Sequence, residues 1–187
     1  LADEIAYNNH DVDDGLRSGL LTLEQLEQLS LFARHAAEAD AEFPQISPRR
    51  RVHETIRRMI DAQVTDLLAE SARRIADASL RSLEDAHAAP ALVAFTEAMQ
   101  AENRALKGFL HQHLYQHYEV LRMTAKARRI IRDLFGAFVA DPRLLPPQYQ
   151  QMAATESVVR ATADYIAGMT DRYSMKEHRR LFSVGEL

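Results

Sequence analysis

Apolar residues recur along this chain at intervals of three and four, and that period predicts helix almost throughout. A first helix is expected over about residues 1–16, with Gly15 and Gly19 loosening its end. Thr22 and Gln25 form the capping-box pattern, in which two orphan amides are satisfied reciprocally. The helix it starts carries Leu23, Leu26, Leu29, Leu31 and Phe32 and is expected to end near Asp40. A loop over 41–47, punctuated by Pro44, leads to Ser47-Pro48, a cap followed by the residue best suited to a first helical turn. From Pro48 the apolar positions Val52, Ile56, Met59, Ile60, Val64, Leu67 and Leu68 sustain a helical period expected to run to about Ala78, with Arg49, Arg50, Arg51, Arg57 and Arg58 on another face.

Pro90 marks a break, and the helical pattern resumes over about 91–116, in one piece or two. Tyr118–Met123 is compatible with a short extended stretch. A helix is expected over about 124–140, then a loop bracketed by Asp141-Pro142 and Pro146-Pro147, then one long helix over about 153–182 and a frayed tail of five residues. No internal repeat or low-complexity segment appears. The expected fold is all-α, an irregular bundle of six or so helices.

Composition narrows the class. The chain has 187 residues, nearly half of them apolar, with only six Gly and six Pro, a balance that favours helix over strand. It has no cysteine, which excludes disulfides and thiolate metal sites and suits a reducing cytoplasm. The net charge of −4 gives no indication of nucleic-acid binding. No apolar run approaches the ~20 residues of a membrane span, and no signal-peptide pattern is present. The first residue is Leu, already inside a helical pattern with no cap before it, so the sequence reads as a fragment of a longer protein.

Candidate chemistry gathers in the first helix. Asp3, Tyr7 and Asp11 are spaced i, i+4, i+8, which places them within roughly 80° of one another and along ~12 Å of axis. Two carboxylates flanking an aromatic plate suit a nucleotide read lengthwise, from metal-bound phosphate to 3′-hydroxyl. The same pattern also describes acids that favour a helix N-terminus and a tyrosine that belongs to the core.

Three segments carry a family resemblance. Residues 3–16 (DEIAYNNHDVDDGL) look like the segment of bacterial dGTPases that supplies the last metal ligand of an HD-superfamily site. Residues 51–60 (RVHETIRRMI) and 164–173 (DYIAGMTDRY) are similar to two further family segments, in family order. The chain thus resembles the C-terminal portion of a dGTPase-type deoxyguanosinetriphosphate triphosphohydrolase. The resemblance implies that residues 1–40 end the HD catalytic domain and that 41–187 form a C-terminal helical dGTPase-associated domain. It implies hydrolysis of a deoxynucleoside triphosphate to deoxynucleoside and triphosphate, with a divalent metal (Mg, Mn or similar) as cofactor and a homo-oligomeric assembly.

On the same basis Asp3 is the closing carboxylate of the metal site, Tyr7 packs on the deoxyribose where a 2′-hydroxyl would stand, and Asp11 accepts from the 3′-hydroxyl. Arg50 and His53 are candidate substrate contacts, although the Arg49–Arg51 cluster also reads as a solvated face and His53 as a buried, satisfied histidine. His10-Asp11 spells the family's dyad but is not expected to be it: that pair lies upstream of the Asp3 segment, and sequence neighbours point about 100° apart on a helix. Glu4 stands where some relatives carry a phosphate-binding Lys. His113 and His117, at i, i+4, form a possible metal pair, with a structural reading preferred. Asp171-Arg172 reads as an ion pair to the first helix or as a pocket contact, and Gly168 as a close-packing position. Alone, the chain is expected to be inert, since one carboxylate does not hold a catalytic metal. Three alternatives stand beside this reading: a helical oligomerisation or regulatory domain, an HD phosphohydrolase acting on another nucleotide, and a helical regulatory protein unrelated to HD enzymes, against which the three ordered segments count.

Overall fold

The computed structural model describes residues 1–184, and the last three positions of the expected frayed tail lie outside them. Among the described residues there are ten α-helices, one π-turn, one 3-10 turn and no strand, so the fold is all-α. No helix is long and apolar enough to cross a membrane.

The chain packs as two units, Leu1–His117 and a second beginning at Tyr118. The boundary expected at 40/41 falls inside the helix Ser30–Glu42 and not at a division between the units. In packing terms the helices on either side of it lie together in the first unit.

The first unit is built on α1 (Ala2–Ser18), α2 (Leu23–Leu26), α3 (Ser30–Glu42), α4 (Pro48–Ala78), α5 (Leu83–Ala88) and α6 (Glu97–Leu110), the last continued by a π-turn over His111–Tyr115. Its core takes Ile5 and Val12 from α1, Leu31, Phe32 and Ala36 from α3, Ile56 and Met59 from α4, and Met99, Leu106 and Leu110 from α6. Gly15 lets the end of α1 close on the turn that follows: a Cβ there would stand 2.5 Å from Leu21 Cδ1. Gly19 ends α1 in the left-handed conformation that glycine adopts without cost.

The capping box forms as expected, Gln25 N–H donating to Thr22 Oγ1 and Thr22 N–H to Gln25 Oε1. Thr22→Ala is expected to cost about 1 kcal/mol, measured as a fall in urea midpoint with unchanged slope. Ser47 holds the cap position of α4 but its side chain makes no capping bond, contrary to the sequence reading; the first turn relies on Pro48 alone. A second tie fixes the start of α6: Asp66 on α4 accepts from the Thr96 backbone and hydroxyl at 2.9 and 2.7 Å, while Thr96 caps Met99.

Four expectations are corrected. The helix foreseen from Leu23 to Asp40 is two, because the chain breaks after Leu26 and leaves the helical conformation at Leu29. The pattern foreseen from Ala91 starts at Glu97, and the six-residue α5 was not foreseen. Tyr118–Met123 is not extended: it is the first part of α7 (Tyr118–Ala140), whose buried Ile130, Leu134 and Phe138 keep a helical period. The single helix over 153–182 is three, α8 (Pro147–Thr155), α9 (Val158–Ala167) and α10 (Asp171–Phe182). Side-chain caps at Ser157 and Thr170 restart the helix after each break.

The second unit packs α7, α8, α9 and α10 around Ile130, Leu134, Phe138, Leu145 and Tyr165. Phe138 meets Tyr165 edge-on at 5.4 Å, and His178 of α10 pairs with Asp133 of α7 at 3.0 Å.

Candidate functional site

One face of α1 is buried and the other is bare. Ile5, Asn8, Asn9, Val12 and Gly15 point inward, which leaves Asp3 and Tyr7 exposed and Asp11 partly so. Tyr7 is 62% exposed, an unusual position for a large aromatic ring and the reverse of the core tyrosine the spacing also allowed. Asp3 forms no ion pair among the described residues, so its carboxylate oxygens are open to a ligand. Glu4, one position on, is engaged by Lys107 of α6 at 3.0 Å.

Asp11 has a partner that sequence reading missed. The phenol of Tyr115 donates to Asp11 Oδ2 across 104 residues of sequence. Tyr115 closes the π-turn, whose wider coil gives it a different register from a continuous α-helix. Burial, together with the adjacent Asp11 carboxylate, pushes the Tyr115 hydroxyl up to about 12, so it remains a donor at neutral pH. The combined face therefore offers an open carboxylate at Asp3, a bare ring at Tyr7, and a carboxylate at Asp11 already oriented by a hydroxyl.

His10 is exposed beside Asp11, and among the described residues no group of three or more metal-ligating side chains comes together. Asp3 fits one ligand position of a divalent ion, since carboxylate oxygen suits Mg and Mn. His113 packs its ring 4.5 Å from Phe109.

Arg50 and His53 lie elsewhere. Both line an open cleft of about 940 Å³ at the connection between α3 and α4, walled by Phe43, Pro44 and Ile46. None of its lining residues comes from α1. Both side chains are exposed, so His53 is not the buried histidine that the sequence also allowed. Of the arginine cluster, Arg51 is tied to Asp40 at 2.8 Å and to Glu27 at 3.1 Å, where it holds α4 to its neighbours. Arg57 and Arg58 share Glu54, whose carboxyl these two guanidinium groups hold well below the usual range. Asp171 and Arg172 form no ion pair among the described residues; Asp171 instead occupies the first turn of α10, where the helix N-terminus favours an acid.

A phosphohydrolase-associated domain matches residues 93–180. Over its whole length the chain is 61% identical to a deoxyguanosinetriphosphate triphosphohydrolase-like protein of Azoarcus, of which it covers 49%. Proteins of the same name from Ralstonia pickettii and Thiobacillus denitrificans are 59% and 54% identical over 98% and 100% of the chain. The chain spans about half the length of these curated relatives. It is therefore a homologue, from end to end, of the deoxyguanosinetriphosphate triphosphohydrolase-like proteins, and it carries a phosphohydrolase-associated domain.

Proposed function

We propose that the chain supplies the sugar-reading face and one metal ligand of a deoxynucleoside triphosphate triphosphohydrolase, and that the protein at the length of its relatives releases deoxynucleoside and intact triphosphate. The observation that carries this reading is the bare α1 face, with Asp3, Tyr7 and Asp11 in line and Asp11 held by Tyr115. The relatives' name supplies the reaction class.

Asp3 would take one ligand position of a divalent ion. Such an ion, when bound, supplies a Lewis acid and lowers the pKa of a bound water. Tyr7 would lie flat against the deoxyribose and crowd the position of a 2′-hydroxyl. Asp11 would accept from the 3′-hydroxyl, and a site built to pair that hydroxyl rejects analogues that leave it unpaired. The homo-oligomer and the cytoplasmic setting belong to the same proposal.

The test is product analysis. The protein at full relative length is incubated with each deoxynucleoside triphosphate and Mn or Mg. Inorganic triphosphate is the expected product; pyrophosphate, orthophosphate or no release would overturn the reading. The 187-residue chain alone is expected to release none, because one carboxylate is too little to hold the ion.

Tyr115→Phe isolates the pairing at Asp11. Loss of one hydrogen bond to a charged group is worth about 1.5 kcal/mol, so KM for the deoxynucleotide is expected to rise roughly tenfold with the fold intact. An unchanged KM would show that the phenol does not orient Asp11 for substrate.

A further inference from the structure

Two side chains of α6 and its π-turn reach α1, at matching intervals. Tyr115 meets Asp11, and Lys107, eight residues earlier, meets Glu4 at 3.0 Å. The numbers of both partners rise together, so α6 runs alongside α1 in the same sense. On α1, seven residues at 100° each bring Glu4 within about 20° of Asp11. Glu4 thus forms the α6 edge of the face that carries Asp3, Tyr7 and Asp11, which widens to an arc of about 100°. Along the axis Glu4 stands ~1.5 Å from Asp3 and ~10 Å from Asp11. Lys107 therefore brings its ammonium to the Asp3 end of the face, whereas Tyr115 serves the Asp11 end.

That end is acidic, with Asp3 and Glu4 both in the first turn of α1. Arg17, another cation paired to α1, meets Asp13 and Asp14 at 3.9 and 4.0 Å, and its position is roughly 20 Å along the axis from Asp3. The residue type also matters. Residues 1–117 hold eleven Arg and this one Lys. Arginine makes the fixed bridges: Arg34 to Glu102 and Arg51 to Asp40 each use two hydrogen bonds. Lys107 is a point charge on a flexible stem, held by Glu4 alone, with its side chain 52% exposed. An exposed pair of this kind is weak and gives way to a stronger anion.

We propose that Lys107 binds the polyphosphate of the substrate, leaving the Glu4 carboxylate for phosphate oxygen when the nucleotide arrives. Glu4 then acts as a positioning residue, which keeps the ammonium at the phosphate end of the face between turnovers. The inference rests on reading the α1 face as a deoxynucleotide site: with a metal ion at Asp3 and the 3′-hydroxyl at Asp11, the phosphates lie beside Asp3 and Glu4. A single divalent ion does not neutralise a triphosphate, and an ammonium supplies counter-charge that is free to follow the phosphate oxygens.

The test is calorimetric titration of the protein at the length of its relatives, at low salt with Mg, using two probes. Inorganic triphosphate carries the phosphates without the sugar, and deoxyguanosine the sugar without phosphates. Lys107→Gln keeps helix propensity, so its circular dichroism should match the parent. It is expected to weaken triphosphate about tenfold, the effect of losing one charged contact, and to leave deoxyguanosine unchanged. Lys107→Arg should recover most of the loss. Glu4→Gln frees the ammonium and removes a competing charge, so it is expected to tighten triphosphate about threefold. A bridge that only ties α6 to α1 predicts otherwise: Lys107→Gln and Glu4→Gln would break the same contact and shift both probes alike. That outcome overturns the proposal, as does unchanged triphosphate affinity in a folded Lys107→Gln variant, or a parent that does not bind triphosphate. Failure of the α1 reading itself shows separately, as a parent that releases no triphosphate from any deoxynucleotide, and would take this inference with it.

Discussion

Asp3→Ala, in the protein at the length of its relatives, is expected to lower triphosphate release by about 10²–10³-fold, the scale of losing one group that stabilises charge developing in a transition state. The substitution is clean because of where Asp3 sits. It is exposed in the first turn of α1 and holds no structural partner among the described residues. Its only foreseeable structural contribution is the attraction of an acid to a helix N-terminus, worth 0.3–1 kcal/mol at most. The melting temperature of the 187-residue chain should therefore barely move, while triphosphate release by the protein at the length of its relatives collapses. Asp3→Asn keeps the shape and removes the charge, and should behave the same way; raised Mn should restore part of the rate if the defect is ion affinity. Undiminished release by Asp3→Ala would remove Asp3 from the metal site and leave the α1 face as a binding surface only.

Phe32→Ala is expected to destabilise the first unit by about 3–5 kcal/mol. Phe32 is fully buried on α3 within the cluster that joins α1, α3, α4 and α6, and removing its ring leaves a cavity that four helices cannot all close on. For a unit of this size the loss corresponds to roughly 4–8 °C in melting temperature per kcal/mol. Urea unfolding followed by circular dichroism should show a lower midpoint with unchanged slope. A loss under 1 kcal/mol would mean the site collapses around the missing ring. The second unit offers an internal reference, since Phe138 and Tyr165 make their own contact in a separate core.

The parts of the fold legible in the sequence were those with a local physical signature. Pro48 and an unbroken apolar period located α4 to the residue, and Thr22 with Gln25 announced α2. The divisions of the C-terminal region were harder. Ser157 and Thr170 are ordinary cap residues, no proline marks either break, and Gly168, the C-cap of α9, keeps right-handed backbone angles that any residue adopts. Tyr118–Met123 misleads for a different reason: Tyr118 and Val120 favour a strand when read alone, and only the downstream stripe of α7 decides for helix. At the site, the spacing of Asp3, Tyr7 and Asp11 was readable, because one helix sets it. Tyr115 was not, since its meeting with Asp11 depends on how α6 lies against α1.

The π-turn at His111–Tyr115 holds one residue more than an α-helical path between the same neighbours would need. That surplus residue acts as a register shim. The wider coil absorbs it, so the chain on either side keeps the positions that a regular α-helix one residue shorter would give it. Relaxing the same residues to α-helical hydrogen bonding, with none removed, would turn everything after the segment by about 100° and carry the phenol away from Asp11. The contact is therefore governed by the hydrogen-bond pattern of five residues, the last of which lies 104 positions along the chain from the acid it orients.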